Sequence, residues 1–144
     1  AFVGSRIMIR VILADDHPLI RQSIRSVLEK ADDIEIVGEA VDGQEAVELA
    51  QRLTPDVIVL DISMPRLDGA HAVEKIRAAA PATQVVILSG YDDKSLALMV
   101  LQKGARGYVL KDHIKPELLL AIRAASKKET YLSTAMPSSI LEGL

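Results

Sequence analysis

Short apolar runs alternate along the chain with longer segments whose apolar residues recur every three or four positions. Residues 9–14 read IRVILA, a short β-branched run that stops at two aspartates, which predicts a strand. Residues 17–30 carry Leu19, Ile20, Ile24, Val27 and Leu28 at helical spacing. Asp16 stands where an N-cap is wanted, and Pro18 suits the first helical turn. Residues 34–39, IEIVGE, predict a second strand, and residues 42–53 a helix with Ala46, Val47, Leu49 and Ala50 on its apolar side. Residues 57–60, VIVL, are apolar on both faces, as in the middle of a parallel sheet covered on both sides. Helices are then expected over 69–80, 93–103 and 114–128, the second stopping at Gly104, and the third turning Leu118, Leu119 and Ile122 inward. Strands are expected over 84–88 and 107–110. Five strand–helix alternations predict an α/β fold with a doubly wound parallel sheet. The tail, residues 129–144, mixes Thr, Ser and Pro with a few aliphatic residues and reads as a linker stub. Residues 1–7 precede Met8, a natural-looking start, and are set aside as a remnant.

Composition narrows this. A chain of 144 residues fits one domain with a substantial core. With 49% hydrophobic but only 3% aromatic residues, that core must be aliphatic. The net charge of −3 makes this segment a poor candidate for touching nucleic acid itself. Without cysteine there is no disulfide framework and no thiolate metal site. No apolar run approaches the roughly 18 residues needed to span a bilayer, so no membrane contact and a cytoplasmic location are expected.

Ligands of doubly wound sheets bind beyond the carboxyl ends of the strands, near the switch in strand order. Asp15 and Asp16 follow the first strand, Asp61 the third, Ser89 the fourth and Lys111 the fifth. Three carboxylates at one sheet edge repel by roughly 4 kcal/mol per pair at about 4 Å and an effective dielectric near 20. They therefore call for a cation among them. Oxygen donors without Cys or His favour a hard ion, and few carboxylates favour Mg2+ over Ca2+. A metal, a lysine and a hydroxyl around one carboxylate form a phosphoryl-transfer site, in which Asp61 could attack phosphorus as a nucleophile.

These residues resemble the response-regulator receiver domain. Asp15–Asp16, Asp61 within LDISMPRLDG, Ser89 after VVIL and Lys111 after GYVL fall in that family's order and spacing, over roughly residues 9–128. DDHPLIR, YDD, GARGYVLKD and ETYLS resemble its NarL/FixJ-type subfamily. The resemblance implies a flavodoxin-like (β/α)5 fold of five strands in the order 2-1-3-4-5, with the receiver over residues 8–128. It implies Asp61 as phosphoacceptor, and Asp15, Asp16, Asp61 and the backbone carbonyl of Ser63 around Mg2+. Lys111 would pair with phosphoryl oxygens, and Ser89 and Tyr108 would form a switch pair. The implied protein is a signalling switch rather than an enzyme, catalysing only its own phosphorylation and hydrolysis. Its partners would be a sensor histidine kinase, a second copy on phosphorylation, and DNA only through a C-terminal domain outside this chain. A stand-alone receiver is the alternative. In much of the family a proline follows the lysine; here Asp112 follows.

Other residues call for separate readings. His17 follows the acidic pair, but three consecutive residues on a strand-to-helix turn should not converge on one ion, so it reads as a capping or surface-packing residue. Ser63 and Tyr91 lie two residues beyond Asp61 and Ser89, and are expected to tune the lifetime of an acyl phosphate. Residues 96–101, LALMVL, exceed what one buried helix stripe can absorb. With Ala97, Val100, Leu101 and Gly104 inward, Leu96, Leu98 and Met99 become a candidate output surface. A small-molecule phosphatase is disfavoured because Ser63 and Met64, not a second acid, follow Asp61. A nucleotide or flavin binder is disfavoured because no glycine-rich loop follows the first strand.

Overall fold

The computed structural model of the chain describes residues 8–64 and 69–144. Its strands are β1 (Ile9–Ala14), β2 (Ile34–Ala40), β3 (Val57–Asp61), β4 (Gln84–Ser89), β5 (Gly107–Leu110) and β6 (Tyr131–Leu132). Its α-helices are α1 (Pro18–Glu29), α2 (Gly43–Leu53), α3 (Gly69–Ala79), α4 (Lys94–Gln102) and α5 (Ile114–Ser126). The periodicity reading therefore holds for each of the ten expected elements, with ends moved by no more than a residue or two.

All strands are parallel, in the order β2-β1-β3-β4-β5-β6. The flavodoxin-like order stands, with one strand more than the sequence implied. β6 has only two residues, too short to show a period. It pairs Tyr131 with Gly107 and Leu132 with Tyr108, and its flanks are held by Tyr131 N–H to Arg106 O and Ser133 N–H to Tyr108 O, both 2.8 Å. Buried Glu117 on α5 anchors it, accepting from the Tyr131 hydroxyl at 3.1 Å, the Thr134 hydroxyl at 3.0 Å and the Thr134 N–H at 3.3 Å. A 3-10 turn, Ser138–Gly143, then buries Ile140 and lies against Leu98 of α4. The segment read as a linker is thus folded onto the domain.

The core has two layers, one on each side of the sheet. Ile12, Ile58, Leu60, Ile87 and Tyr108 pack toward α2, α3 and α4, with Val73, Ile76, Ala97 and Val100 facing them. Val11, Leu13, Val59, Val86, Leu88 and Val109 pack toward α1 and α5, meeting Ile24, Leu28, Leu118 and Ile122. Central strands apolar on both faces follow from this double cover.

Helix ends are mostly set by local chemistry. Asp42 caps α2 by accepting from Glu45 N–H at 2.8 Å, and Asp93 caps α4 through Ser95 and Leu96 N–H. Gly104 has φ +115°, a conformation that suits glycine at the end of α4. A Cβ at Gly69 would overlap the Ile62 side chain, so glycine lets α3 begin against the turn after β3. Two expectations for α1 fail. His17, not Asp16, is its N-cap residue, and it makes no side-chain cap bond, its ring nitrogen lying beside Asp16 instead. Leu19 is 79% exposed, because the stripe through Ile24 and Leu28 already fills the space over the sheet.

Candidate functional site

The chain leaves β1 for β2 on one side of the sheet and then returns to β3 on the other. Ala14 pairs with Leu60, so Asp15 and Asp61 emerge side by side at the carboxyl edge. Both are fully buried. The turn after β3 folds back: Ser63 N–H and the Ser63 hydroxyl donate to Asp61 Oδ1 at 2.9 and 2.8 Å. Lys111 opens a 3-10 turn, Lys111–His113, after β5 and places Nζ 2.9 Å from Asp61 Oδ2 and 3.2 Å from Ser63 Oγ. The missing proline therefore does not move Lys111 out of reach. Asp112 points to solvent and pairs with His113 at 3.2 Å.

The electrostatics separate the two buried acids. Burial pushes the Asp61 carboxyl up, but donation from Lys111 and Ser63 outweighs it and holds the group below the ordinary carboxylate range. Asp15 is pushed up to about 6, first by burial and further by the neighbouring Asp61 charge, although His17 N–H donates to it at 2.7 Å. Asp15 Oδ2 is buried without a hydrogen-bond partner. Such an atom at a carboxylate cluster fits a bound cation.

Asp15, Asp16, His17 and Asp61 each place a ligand atom within 4.8 Å of the others'. This corrects the expectation that three consecutive side chains would not converge, while His17 does stand at the N-cap of α1 with its side chain 54% exposed. Its Nδ1 is 3.0 Å from Asp16 Oδ1, 3.3 Å from Asp15 Oδ1 and 3.6 Å from Asp61 Oδ2. Its backbone takes the extended N-cap conformation, φ −99° and ψ 110°, and its ring lies over the strand end rather than on the first turn of α1. Adjacency in sequence does not keep consecutive side chains apart at such a turn.

Ser89 ends β4 one residue beyond Leu88, the register partner of Asp61. Its hydroxyl accepts from Tyr91 N–H at 3.0 Å. Tyr108 on β5 is fully buried, and its hydroxyl donates to Tyr91 O at 2.7 Å. Burial raises the Tyr108 phenol. Ser89 and Tyr108 thus share Tyr91 as a partner, through Tyr91's backbone, while the Tyr91 side chain is 63% exposed. The Ser63 hydroxyl and the Tyr91 carbonyl are contacts that the sequence reading did not specify. The signal was their two-residue offset from Asp61 and Ser89, but not the atoms used.

On α4, Ala97, Val100 and Leu101 are buried, as the stripe predicted. Met99 is exposed, while Leu96 and Leu98 are half-buried. Leu98 lies beneath the tail at Gly143. No helix among the described residues is long and apolar enough to cross a membrane.

Comparison with known proteins agrees with the fold. Residues 11–123 match the response regulator receiver domain. The transcriptional regulatory protein YxjL of Bacillus subtilis is 41% identical over 133 residues, 92% of this chain and 61% of its own length. A LuxR-family two-component response regulator from Aurantimonas sp. SI85-9A1 has TM-score 0.87 and 32% identity, over 94% of this chain and 96% of that one. The signal receiver domain of the response regulator NarL from Mycobacterium tuberculosis has TM-score 0.79 and 37% identity, over 83% of this chain and 97% of that one. The parallel sheet, the carboxylate edge and these likenesses define a phosphoacceptor class of signalling domain, and the chain belongs to the response-regulator receiver family. Its relatives are transcription regulators of the NarL/LuxR type. The chain spans about three-fifths of the length of YxjL.

Proposed function

We propose that Asp61 accepts a phosphoryl group from the phosphohistidine of a sensor kinase. The observation that carries this is a buried Asp61 held by Lys111 at 2.9 Å beside two further acids. Ser63 pins Oδ1 with two donors, and Oδ2 faces the acidic pocket. Oδ2 attacks phosphorus, the P–N bond breaks, and the histidine leaves with its electron pair and takes up a proton. Lys111 follows the negative charge from Asp61 onto the phosphoryl oxygens, an electrostatic role rather than a proton transfer.

Asp15, Asp16, Asp61 and the Ser63 backbone carbonyl would hold Mg2+. When bound, Mg2+ offsets the charge of the carboxylates and the incoming phosphoryl oxygens. Ser63 and Tyr91, placed beside Asp61 and Ser89, set how readily water reaches the acyl phosphate.

The new charge competes for the Ser89 hydroxyl, now tied to Tyr91 N–H. Release of that bond loosens the Tyr91 carbonyl that holds Tyr108, and with it the start of α4. Leu96, Leu98 and Met99 on α4 are the proposed output surface, with the folded tail lying on Leu98. Residues 8–128 form the receiver, and 129–144, folded against it, lead toward the further length of its longer relatives. DNA contact and control of transcription belong to that further length, and the chain works in the cytoplasm beside its kinase.

The test is incubation with acetyl phosphate and Mg2+ followed by intact-mass measurement. One phosphoryl adduct is expected, lost in Asp61→Asn, with a changed decay rate in Ser63→Asn and Tyr91→Ala. An adduct that persists in Asp61→Asn rules this function out.

A further inference from the structure

His17 is the residue at the carboxylate cluster that the proposed phosphoryl transfer does not use. Its ring nitrogen Nδ1 sits among all three acids, at 3.0, 3.3 and 3.6 Å. Its side chain makes no bond to the helix it precedes, so capping does not account for its position. Its own N–H donates to Asp15 Oδ1 at 2.7 Å, which ties the ring's backbone to the acid beside it. The same acid leaves Oδ2 unpartnered, with a side chain 1% exposed. An acid with an unsatisfied buried oxygen and an unassigned ring nitrogen therefore belong to one cluster, and Asp16 Oδ1, also without a hydrogen-bond partner, lies 3.0 Å from that nitrogen.

We propose that His17 is a ligand of the cation site, so that first-row transition-metal ions such as Mn2+ and Co2+ are bound through a mixed nitrogen–oxygen set. This rests on reading Asp15, Asp16 and Asp61 as the cation site and adds to it the class of ion the site prefers. Mg2+ takes oxygen ligands and keeps its waters, so it gains little from an imidazole. Ions further along the first row bind imidazole well, with affinity rising from Mn2+ to Co2+ and beyond. The His17 side chain is 54% exposed, so it can swing toward the cluster or away from it without disturbing the core. The site is then open to Mg2+ through oxygens alone, and to softer ions with His17 added.

The test uses the metal-free chain with Mn2+, Co2+ and Mg2+ added singly. Pulsed electron paramagnetic resonance of the Mn2+-loaded chain is expected to show modulation from a directly bound imidazole 14N, absent in His17→Ala and in His17→Gln. Calorimetric titration is expected to show His17→Ala weakening Co2+ by about tenfold or more, with Mg2+ changed much less. Mn2+ binding that is lost in Asp16→Asn but shows no 14N modulation in the unsubstituted chain overturns this inference and leaves the cation site standing. Equal weakening of Co2+ and Mg2+ by His17→Ala also overturns it. Failure of every ion to bind the unsubstituted chain overturns both readings.

Discussion

Asp15 and Asp61 are neighbouring buried carboxyls with opposite displacements, and the difference lies in their donors. Asp61 has Lys111 and two donors from Ser63; Asp15 has one backbone N–H and an oxygen left over. Asp15 is pushed up to about 6, so the folded chain holds its proton more tightly than the unfolded chain does. Its contribution is therefore most favourable below the ordinary aspartate range and is lost as pH rises through about 6. Asp15→Asn should raise the melting temperature of the metal-free chain by several degrees at pH 8, with a smaller gain at pH 5. Thermal unfolding at the two pH values checks this, and a destabilised variant at pH 8 contradicts it. The acids, Lys111 and Ser89 could be found in sequence because each lies at or just beyond the carboxyl end of a strand. The convergence of His17 with the acids before it was missed because a one-dimensional spacing does not give the direction of a side chain at an N-cap.

At the scale of elements, β6 shows what patterning misses. A two-residue strand has no period, and its support comes from Glu117, fifteen or so residues earlier on α5. Sequence reasoning saw the inward stripe of Leu118 and Ile122 but had no reason to bury an acid beside it. Glu117→Ala removes the acceptor for the Tyr131 hydroxyl and for both Thr134 donors. The expected cost is about 1–3 kcal/mol, together with faster amide exchange at Tyr131 and Ser133. Unchanged exchange at those amides would show that the strand is held by other contacts. The elements found correctly were those of four residues or more with a readable pattern: α4 buries Ala97, Val100 and Leu101, and β3 and β4 are apolar on both faces.

For the whole molecule, strand order follows from the connections rather than from any single segment. The step from β2 back across β1 to β3 brings two acidic strand ends together, and α5 then carries the chain to β6 beside β5. The tail over α4 joins the edge strand beside Tyr108 to the proposed output surface. With beryllofluoride as an acyl-phosphate mimic, sedimentation should show a shift toward a dimer that Met99→Glu abolishes. No association in either state would exclude α4 as a dimer surface for this chain. The central claim is chemical, and it concerns one carboxylate. The chain, phosphorylated with acetyl phosphate and reduced with borohydride, should yield homoserine on peptide sequencing at position 61 and at neither 15 nor 16. Homoserine at 15 or 16, or at no aspartate position, would contradict the assignment of Asp61 as the phosphoacceptor.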